Sequence, residues 1–400
     1  MSVGLLTSAS APANLNALSF AQMITRLMPN GTAPLFGLTA LLKDETASNI
    51  EHGYYSKTVV FPSVTLGAAV ADGVATTLTV VSTADIVVGD MLMVSSTQEI
   101  MLVTAVTNAT TLAVQRGVGT IAAAAVSNSV VLYTAGNAFE EGSVRPAASS
   151  ILPVRNVNNT QIFRNSWAVT KTAAAIPQIA GAGYVGESKS DCAMFHAQAI
   201  EKALFFSQKY MGTRNGMPFH TMEGIIPRVT AAAPGNIVTL GGTTNWTQFE
   251  AALDPTLQTV TDPKSGNTRT MFVGGTARRV IHNIARMNST YQITGDKTEW
   301  GLQIDTIRTP RGVFEMIEHP LFNAYGASSA WAKMAVVCDL NAFSLAYLRR
   351  TDDAGYNASG ALVDNGVDAE GGTLTTELTC LIKNPSAFGV LYNFTAAAAG

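Results

Sequence analysis

The sequence predicts an α+β protein of more than one domain, and three observations carry that expectation. Residues Ser188–Gly212, SKSDCAMFHAQAIEKALFFSQKYMG, read as a single helix of about seven turns. Thr65–Tyr133 holds short alternating runs rich in Val and Thr that read as strands. Between roughly 240 and 335, helical and strand patterns alternate as in a compact α/β layer. A chain of 400 residues exceeds one compact core, so two or three domains are expected.

Residues 1–48 read as an arm. Ser19–Met28 places Phe20, Met23, Ile24 and Leu27 on one helical face, and Pro29-Asn30-Gly31 ends that helix. Leu35, Phe36, Leu38, Leu41 and Leu42 follow, too few to fold alone, so they must dock on this chain or on a neighbour.

Residues 49–64 and 134–173 read as the two legs of one excursion. Tyr54–Val64 is an outgoing strand, and Asn156–Thr172 alternates well enough to be the returning one. Between them, 65–133 reads as a small inserted β-barrel, with strands at Thr77–Val81, Met91–Ser95, Glu99–Val106 and Thr111–Gln115. Its one basic residue is Arg116. Gly136–Pro146, with Phe139, Glu140, Glu141 and Arg145, is polar and turn-rich.

Residues 174–240 and 336–400 form the body around the long helix. Ser188, with Asp191 three residues on, supplies a start signal, and Gly212 a stop. Cys192, Phe195, Ala199, Ala203, Phe206 and Tyr210 make one apolar stripe, and Ala193, Ala197, Ile200 and Leu204 a second. Lys189, Gln198, Glu201, Lys202 and Lys209 leave a narrow wet strip, so the helix should lie across a sheet with further cover.

Met211–Ile226 reads as a glycine-punctuated loop ending in an apolar strand. Residues 241–335 form the α/β domain: helices at Thr244–Leu253 and Thr276–Met287, strands at Thr270–Val273, Leu302–Thr306 and Gly312–Ile317. In the second helix Val280, Ile284 and Met287 face inward, and Arg278, Arg279 and Arg286 outward. Trp331–Leu348 and Thr373–Phe394 supply strands beside the long helix, with a loop over 351–372.

Charge is the informative part of the composition. Asp, Glu, Lys and Arg make up only 13% of the chain against 47% hydrophobic residues, about half the usual charged share. Such a chain has little polar surface, which favours a protein covered by other subunits; composition alone leaves a weakly charged enzyme or a secreted β-protein equally open. No stretch approaches the roughly 18 apolar residues of a membrane span, and the N-terminus has no secretory pattern. A net charge of −3 without a basic block argues against tight nucleic-acid binding. Cys192, Cys338 and Cys380 are too widely spaced for a ligand pair and read as buried thiols in a reducing compartment.

Catalytic and cofactor signals are missing. His52, His196, His220, His282 and His319 are scattered, none in an HExxH or Cys/His pattern. There is no GxSxG and no GxxxxGK, and Gly274-Gly275 lacks the dinucleotide pattern. Glu140-Glu141 and Asp352-Asp353 are adjacent acids on loops, where carboxylates point apart. No cofactor, metal or catalytic residue is expected.

Taken in order, these parts resemble the major capsid protein of tailed double-stranded DNA phages, with the Hong Kong 97-type fold. Local wording carries the resemblance: Asn159-Thr160-Gln161-Ile162-Phe163, Glu201-Lys202-Ala203-Leu204, Glu377-Leu378-Thr379 and Lys383-Asn384-Pro385. The resemblance implies an N-terminal arm at 1–48, an extended loop (E-loop) at 49–64 and 134–173, a peripheral domain on a spine helix at 188–212, and an axial domain at 241–335. The barrel at 65–133 departs from the minimal fold. The resemblance further implies hexamers and pentamers in a closed icosahedral shell around packaged DNA, bound without sequence specificity and assembled in the host bacterial cytoplasm. Portal protein, a separate scaffolding protein and a decoration protein are the partners it implies.

Each subunit of such a shell overlaps its neighbours, burying far more than the roughly 1,600 Å² of an ordinary contact, which accounts for the low charge. The candidate contacts between subunits are Phe20, Leu35, Phe36, Leu41, Tyr54, Lys57, Phe139, Glu140, Glu141 and Arg145. Some relatives weld the shell by a Lys–Asn isopeptide bond, for which Lys57 and Asn384 are the residues here, with no spacing to support the pair. A tail-tube or baseplate component is the alternative function; a surface adhesin and an enzyme rank below it.

Overall fold

The structure is a computed structural model that describes residues 33–39, 44–57, 61–146, 150–178, 181–259, 267–287, 294–299, 302–357 and 366–398. The helix expected at Ser19–Met28, with Phe20, and the residues Leu41 and Leu42 lie outside them. The chain divides into two compact units: Met1–Tyr54 with Arg155–Gly400, and Tyr55–Val154.

The larger unit is built on a helix over Tyr184–Phe206. It starts four residues before the expected Ser188, from Gly183 at φ +88° and without a side-chain cap, and it stops at Phe206 rather than Gly212. Gly212 lies instead in a strand, Tyr210–Arg214, paired with Met217–Thr221. The turn between them is Asn215-Gly216, both at positive φ, a two-residue hairpin signal that overrides helix continuation. Ile225 and Ile226, expected as the apolar strand that ends this loop, instead open the helix Ile225–Ala232.

One face of the long helix is buried: Cys192, His196, Ile200, Ala203 and Leu204, joined by Glu201 and Phe205 near its end. Phe195, of the first stripe, is 55% exposed, and Ala193, of the second, is exposed too, so neither stripe is continuously buried over the first half of the helix. Glu201, read as part of the wet strip, has no exposed surface.

This helix packs on a four-stranded sheet ordered Glu45–Thr46, Phe343–Tyr356, Ala369–Ile382, Gln161–Thr170. The first pair is parallel and the rest antiparallel, with Gln161 opposite Leu378 and Thr170 opposite Ala369. Both long strands extend into the span 351–372, expected as loop, to Tyr356 and from Ala369. Its Gly, Asp and Asn residues lower strand propensity, but pairing along two 14-residue strands decides the outcome.

A seven-stranded mixed sheet runs Ile237–Thr239, Gly389–Tyr392, Ala335–Cys338, Thr268–Val273, Gly312–Glu318, Leu302–Thr309, Thr294–Glu299. Gly389–Tyr392 crosses into it, so the final segment does not all return to the sheet beside the long helix. Helices Trp246–Leu253 and Gly275–Met287 cover this sheet through Trp246, Phe249, Val280 and Ile284, which pack with Met271, Phe314 and Phe394. Asn245 and Gln248 close a reciprocal capping box at the first helix.

The second unit, Tyr55–Val154, contains six antiparallel strands in the order Ser63–Thr65, Val131–Asn137, Asp90–Val94, Ile100–Asn108, Thr111–Gln115, Thr77–Thr79. The two end strands meet at the Leu66–Val80 bridge, with Gly67 N–H donating to Thr79 O and Val81 N–H to Thr65 O, each at 2.9 Å. The sheet thus closes on an apolar interior that includes Leu78, Leu92, Met101, Leu112 and Leu132.

Candidate functional site

The polar centre of the larger unit is the Glu201 carboxylate, fully buried on the long helix. Burying a charge is expensive unless hydrogen bonds replace the lost water, and here three do. Leu35 N–H donates to Oε1 at 2.9 Å and Phe36 N–H to Oε2 at 2.8 Å, the free donors at the start of the short helix Pro34–Thr39. His319 Nε2 completes the set at 2.6 Å from Oε1. His319 Nδ1 accepts from Leu321 N–H at 3.2 Å, which places the ring proton on Nε2, pointing at the carboxylate.

The imidazole is itself held by aromatic packing. It stacks on Phe322 at 4.5 Å and meets the edge of Phe205 at 5.1 Å. One carboxylate therefore joins three elements: the short helix Pro34–Thr39, the long helix, and the turn leaving Gly312–Glu318 of the seven-stranded sheet.

A second polar knot joins the strand that re-enters this unit to the four-stranded sheet. Asn158 Nδ2 donates to Glu223 O at 2.9 Å and Cys380 O at 2.8 Å, while its Oδ1 accepts from Glu223 N–H at 2.7 Å. Thr160 Oγ1 donates to Glu377 Oε1 at 3.0 Å, and Arg349 Nε to Glu377 Oε2 at 2.9 Å. His220 Nδ1 lies against Thr160 O. The stretches Asn159–Phe163 and Glu377–Thr379, far apart in the chain, are thus one contact.

Lys383 belongs to a third contact: its Nζ reaches Glu45 Oε1 at 2.6 Å, beside Ser344 Oγ at 3.0 Å, with His52 Nε2 at 3.4 Å from Oε2. Burial opposes the Glu45 charge, but these partners together hold its carboxyl below the usual carboxylate range. The contact fastens residues 45–52 just before the chain enters the second unit.

The remaining buried charges are paired in the same way. Arg278 donates to Asp305 Oδ2 through Nε at 2.9 Å and Nη2 at 2.6 Å, and through Nη1 to Glu318 Oε2 at 2.9 Å. It is therefore held against the sheet rather than standing out as its helix position suggested. His282 Nε2 lies 3.0 Å from the same Asp305 oxygen. His196 bridges Asn165 Oδ1 and Thr376 Oγ1, and burial depresses its pKa.

In the second unit Arg116 forks onto the fully buried Glu99 at 2.6 and 2.7 Å. These are structural pairings without a nucleophile and base in mutual reach. Among the described residues no group of three or more His, Cys, Asp or Glu could hold a metal ion, and no helix is long and apolar enough to cross a membrane.

The three cysteines are buried. Burial pushes the Cys380 thiol up to about 12 and the Cys338 and Cys192 thiols upward as well. Native subunits should therefore resist alkylation by iodoacetamide at pH 8 and label at all three sites only once unfolded. Mass spectrometry of the intact chain measures this, and rapid labelling of native protein would refute it.

The sequence-derived contact candidates fall into two groups. Leu35 is fully buried in its own chain's core and Phe36 packs partly against it, so the arm docks at home there and Leu35 is unavailable to a neighbour. Tyr54 is half-buried, its hydroxyl donating to Ile382 O at 2.5 Å. Lys57, Phe139, Glu140, Glu141 and Arg145 are exposed. Phe20 and Leu41 lie outside the described residues. Sequence reasoning missed Glu201 and His319 because a lone acid and a lone histidine carry no spacing signal.

The model of the SU10 major capsid protein family matches residues 7–395. The chain belongs to the SU10 major capsid protein family. It is 38% identical over 403 residues to the major capsid protein of Pseudomonas phage PaMx41, covering 97% of this chain and 95% of that one. A solved chain of Mycobacterium phage Cain aligns over 99% of this chain and all of its own length, at 8% identity and a TM-score of 0.49. The capsid of an empty GTA particle aligns over 98% and 100%, at 10% identity and a TM-score of 0.47. This capsid protein is thus a structural component that forms the phage head shell, and it is not an enzyme.

Proposed function

We propose that this capsid protein has the Hong Kong 97-type fold and tiles as hexamers and pentamers into a closed icosahedral head around packaged double-stranded DNA. In that reading residues 1–48 are the arm, the legs at 49–64 and 134–173 are the E-loop, and 65–133 is a domain inserted into it. The helix Tyr184–Phe206 serves as spine, and the seven-stranded sheet with its helices is the axial domain.

The observation that carries the reading is a group of strongly exposed apolar side chains on the two legs. Tyr55, Phe61, Val144, Leu152 and Val154 are 62–89% exposed, all on the legs of the excursion. A lone subunit would keep these in water at about 25 cal/mol per Å², whereas a neighbouring copy covers them. Phe139, Lys57 and Arg145 stand on the same legs and join that contact. The subunit's portal, scaffolding and decoration partners would be met at assembly in the host cytoplasm.

Negative-stain microscopy of particles assembled from the full chain should show closed shells with six-fold and five-fold capsomers. Open tubes or isolated monomers would overturn the reading. A band at monomer mass in denaturing gels of mature particles would exclude a Lys57–Asn384 weld.

A further inference from the structure

The outer face of the four-stranded sheet carries a cleft of about 390 Å³ lined by Ile162, Arg164, Arg349, Arg350 and Asp352 among others. Register explains the grouping. Arg164 stands opposite Thr375, and Thr375 opposite Asp352, so the three share the face turned away from the long helix.

The acids that pair with these arginines lie mostly beneath them. Glu377, which accepts from Arg349, has a side chain 6% exposed against 55% for Arg349. Asp44, 3.2 Å from Arg350, is 27% exposed against 72%. Arg349 spends its Nε and Arg350 one Nη, so each guanidinium keeps donors facing outward. Arg164 is exposed, and among the described residues no hydrogen bond or ion pair holds it. Asp352 is the exposed counter-charge in the cleft. What solvent meets is therefore three guanidinium heads and one carboxylate.

We propose that this cleft receives the Glu140-Glu141 pair of a second copy of the chain. The inference rests on the reading that the excursion reaches a neighbouring subunit, and it names where the excursion lands. Both glutamates are exposed, on a turn where Ser143 N–H donates to Glu140 O at 3.1 Å. The turn is fixed to its own unit, because Ala138 N–H donates to Gly89 O at 3.0 Å and the Phe139 ring lies where a Cβ on Gly89 would stand. The other adjacent acid pairs are committed in part: Asp44 and Glu45 to Arg350 and Lys383, Asp353 to Trp167 and Lys189. Two carboxylates against a guanidinium cluster give the forked, charge-assisted bonds that fix register between copies. The exposed edge of Ile162, at 44%, offers the Phe139 ring an apolar neighbour.

Charge exchange in shells assembled from the full chain tests this. Arg164→Glu alone, and Glu140→Lys with Glu141→Lys, should each lower the yield of closed shells about tenfold, and the three changes together should restore most of it. Thermal melting of the unassembled subunits serves as the folding control. If Arg164→Glu does not fold, Arg164→Gln with Glu140→Gln and Glu141→Gln replaces it, and non-additive losses in shell heat resistance are the expected result.

Unchanged yield with Arg164→Glu would sink the proposal, as would single losses that the combination fails to recover. Deletion of 139–141 that reduces assembly while Arg164→Glu does nothing would mean that the excursion reaches a neighbour elsewhere. A change confined to the DNA content of the particles would assign the cleft to phosphates instead.

Discussion

Replacing Glu201 by Ala is expected to destabilise the larger unit by about 3–5 kcal/mol, the scale for removing one partner from a buried charged network. The change strands the backbone N–H groups of Leu35 and Phe36 and the Nε2–H of His319, all of which end on this carboxylate. Each orphaned buried donor costs about 1–3 kcal/mol. Glu201→Gln should cost less, because one acceptor oxygen remains while its amide faces a donor. Hydrogen exchange should show that residues 35–39 lose protection first, since their helix is too short to persist alone. Wild-type melting and undiminished protection in Glu201→Ala would mean that the carboxylate does not hold the arm.

Arg116→Ala should be comparably damaging to the second unit, again by about 3–5 kcal/mol, because it leaves the Glu99 carboxylate buried without its counter-charge. Arg116 also donates to Asp72 O and Ala124 O, so the loops beside the barrel mouth loosen with it. Glu99→Leu combined with Arg116→Met should be milder than either single change, since an apolar pair needs no solvation.

The same pair sets an acid limit. Burial opposes the charge on Glu99, but hydrogen bonds from Arg116, Ala124 and Gly117 outweigh it and hold the carboxyl below its ordinary value of 4.5. The unfolded chain therefore takes up the proton at a higher pH than the folded one. The stabilisation is complete above that ordinary value and drains away as pH falls through the folded pKa. His196, kept neutral by burial, acts in the same direction from its ordinary value of 6.5 downward. Hydrogen exchange at Leu92, Met101 and Leu112 as a function of pH reads the barrel separately from the rest. Protection that is flat or rises on acidification would contradict the sign.

Much of the fold was legible because its signals are local and repeated. The amphipathic Gly275–Met287 helix, the capped start at Asn245, and the alternating runs of the barrel each carry a period that a single sequence displays. The low charge points to a surface meant to be covered, and the exposed Tyr55, Phe61 and Leu152 are among the side chains that lack cover. The errors have a common cause. Glycine ends helices, which makes Gly212 read as a stop, yet the Asn215-Gly216 turn claims those residues for a hairpin. The ends of the 351–372 span read as loop by propensity, which is weak evidence where two long strands pair.

The sequence by itself determined the class of elements, their order, the apolar faces and the shortage of ionic groups, since these follow from residue type and spacing within one segment. Tertiary structure alone decided that Glu201 is a buried fastener and not a solvated charge, that Thr160 meets Glu377, and that Arg164, Arg349 and Arg350 share a cleft. Those outcomes depend on which distant segments are brought together. A charged side chain is indifferent to its period, and its role is fixed by whichever donors the fold delivers to it.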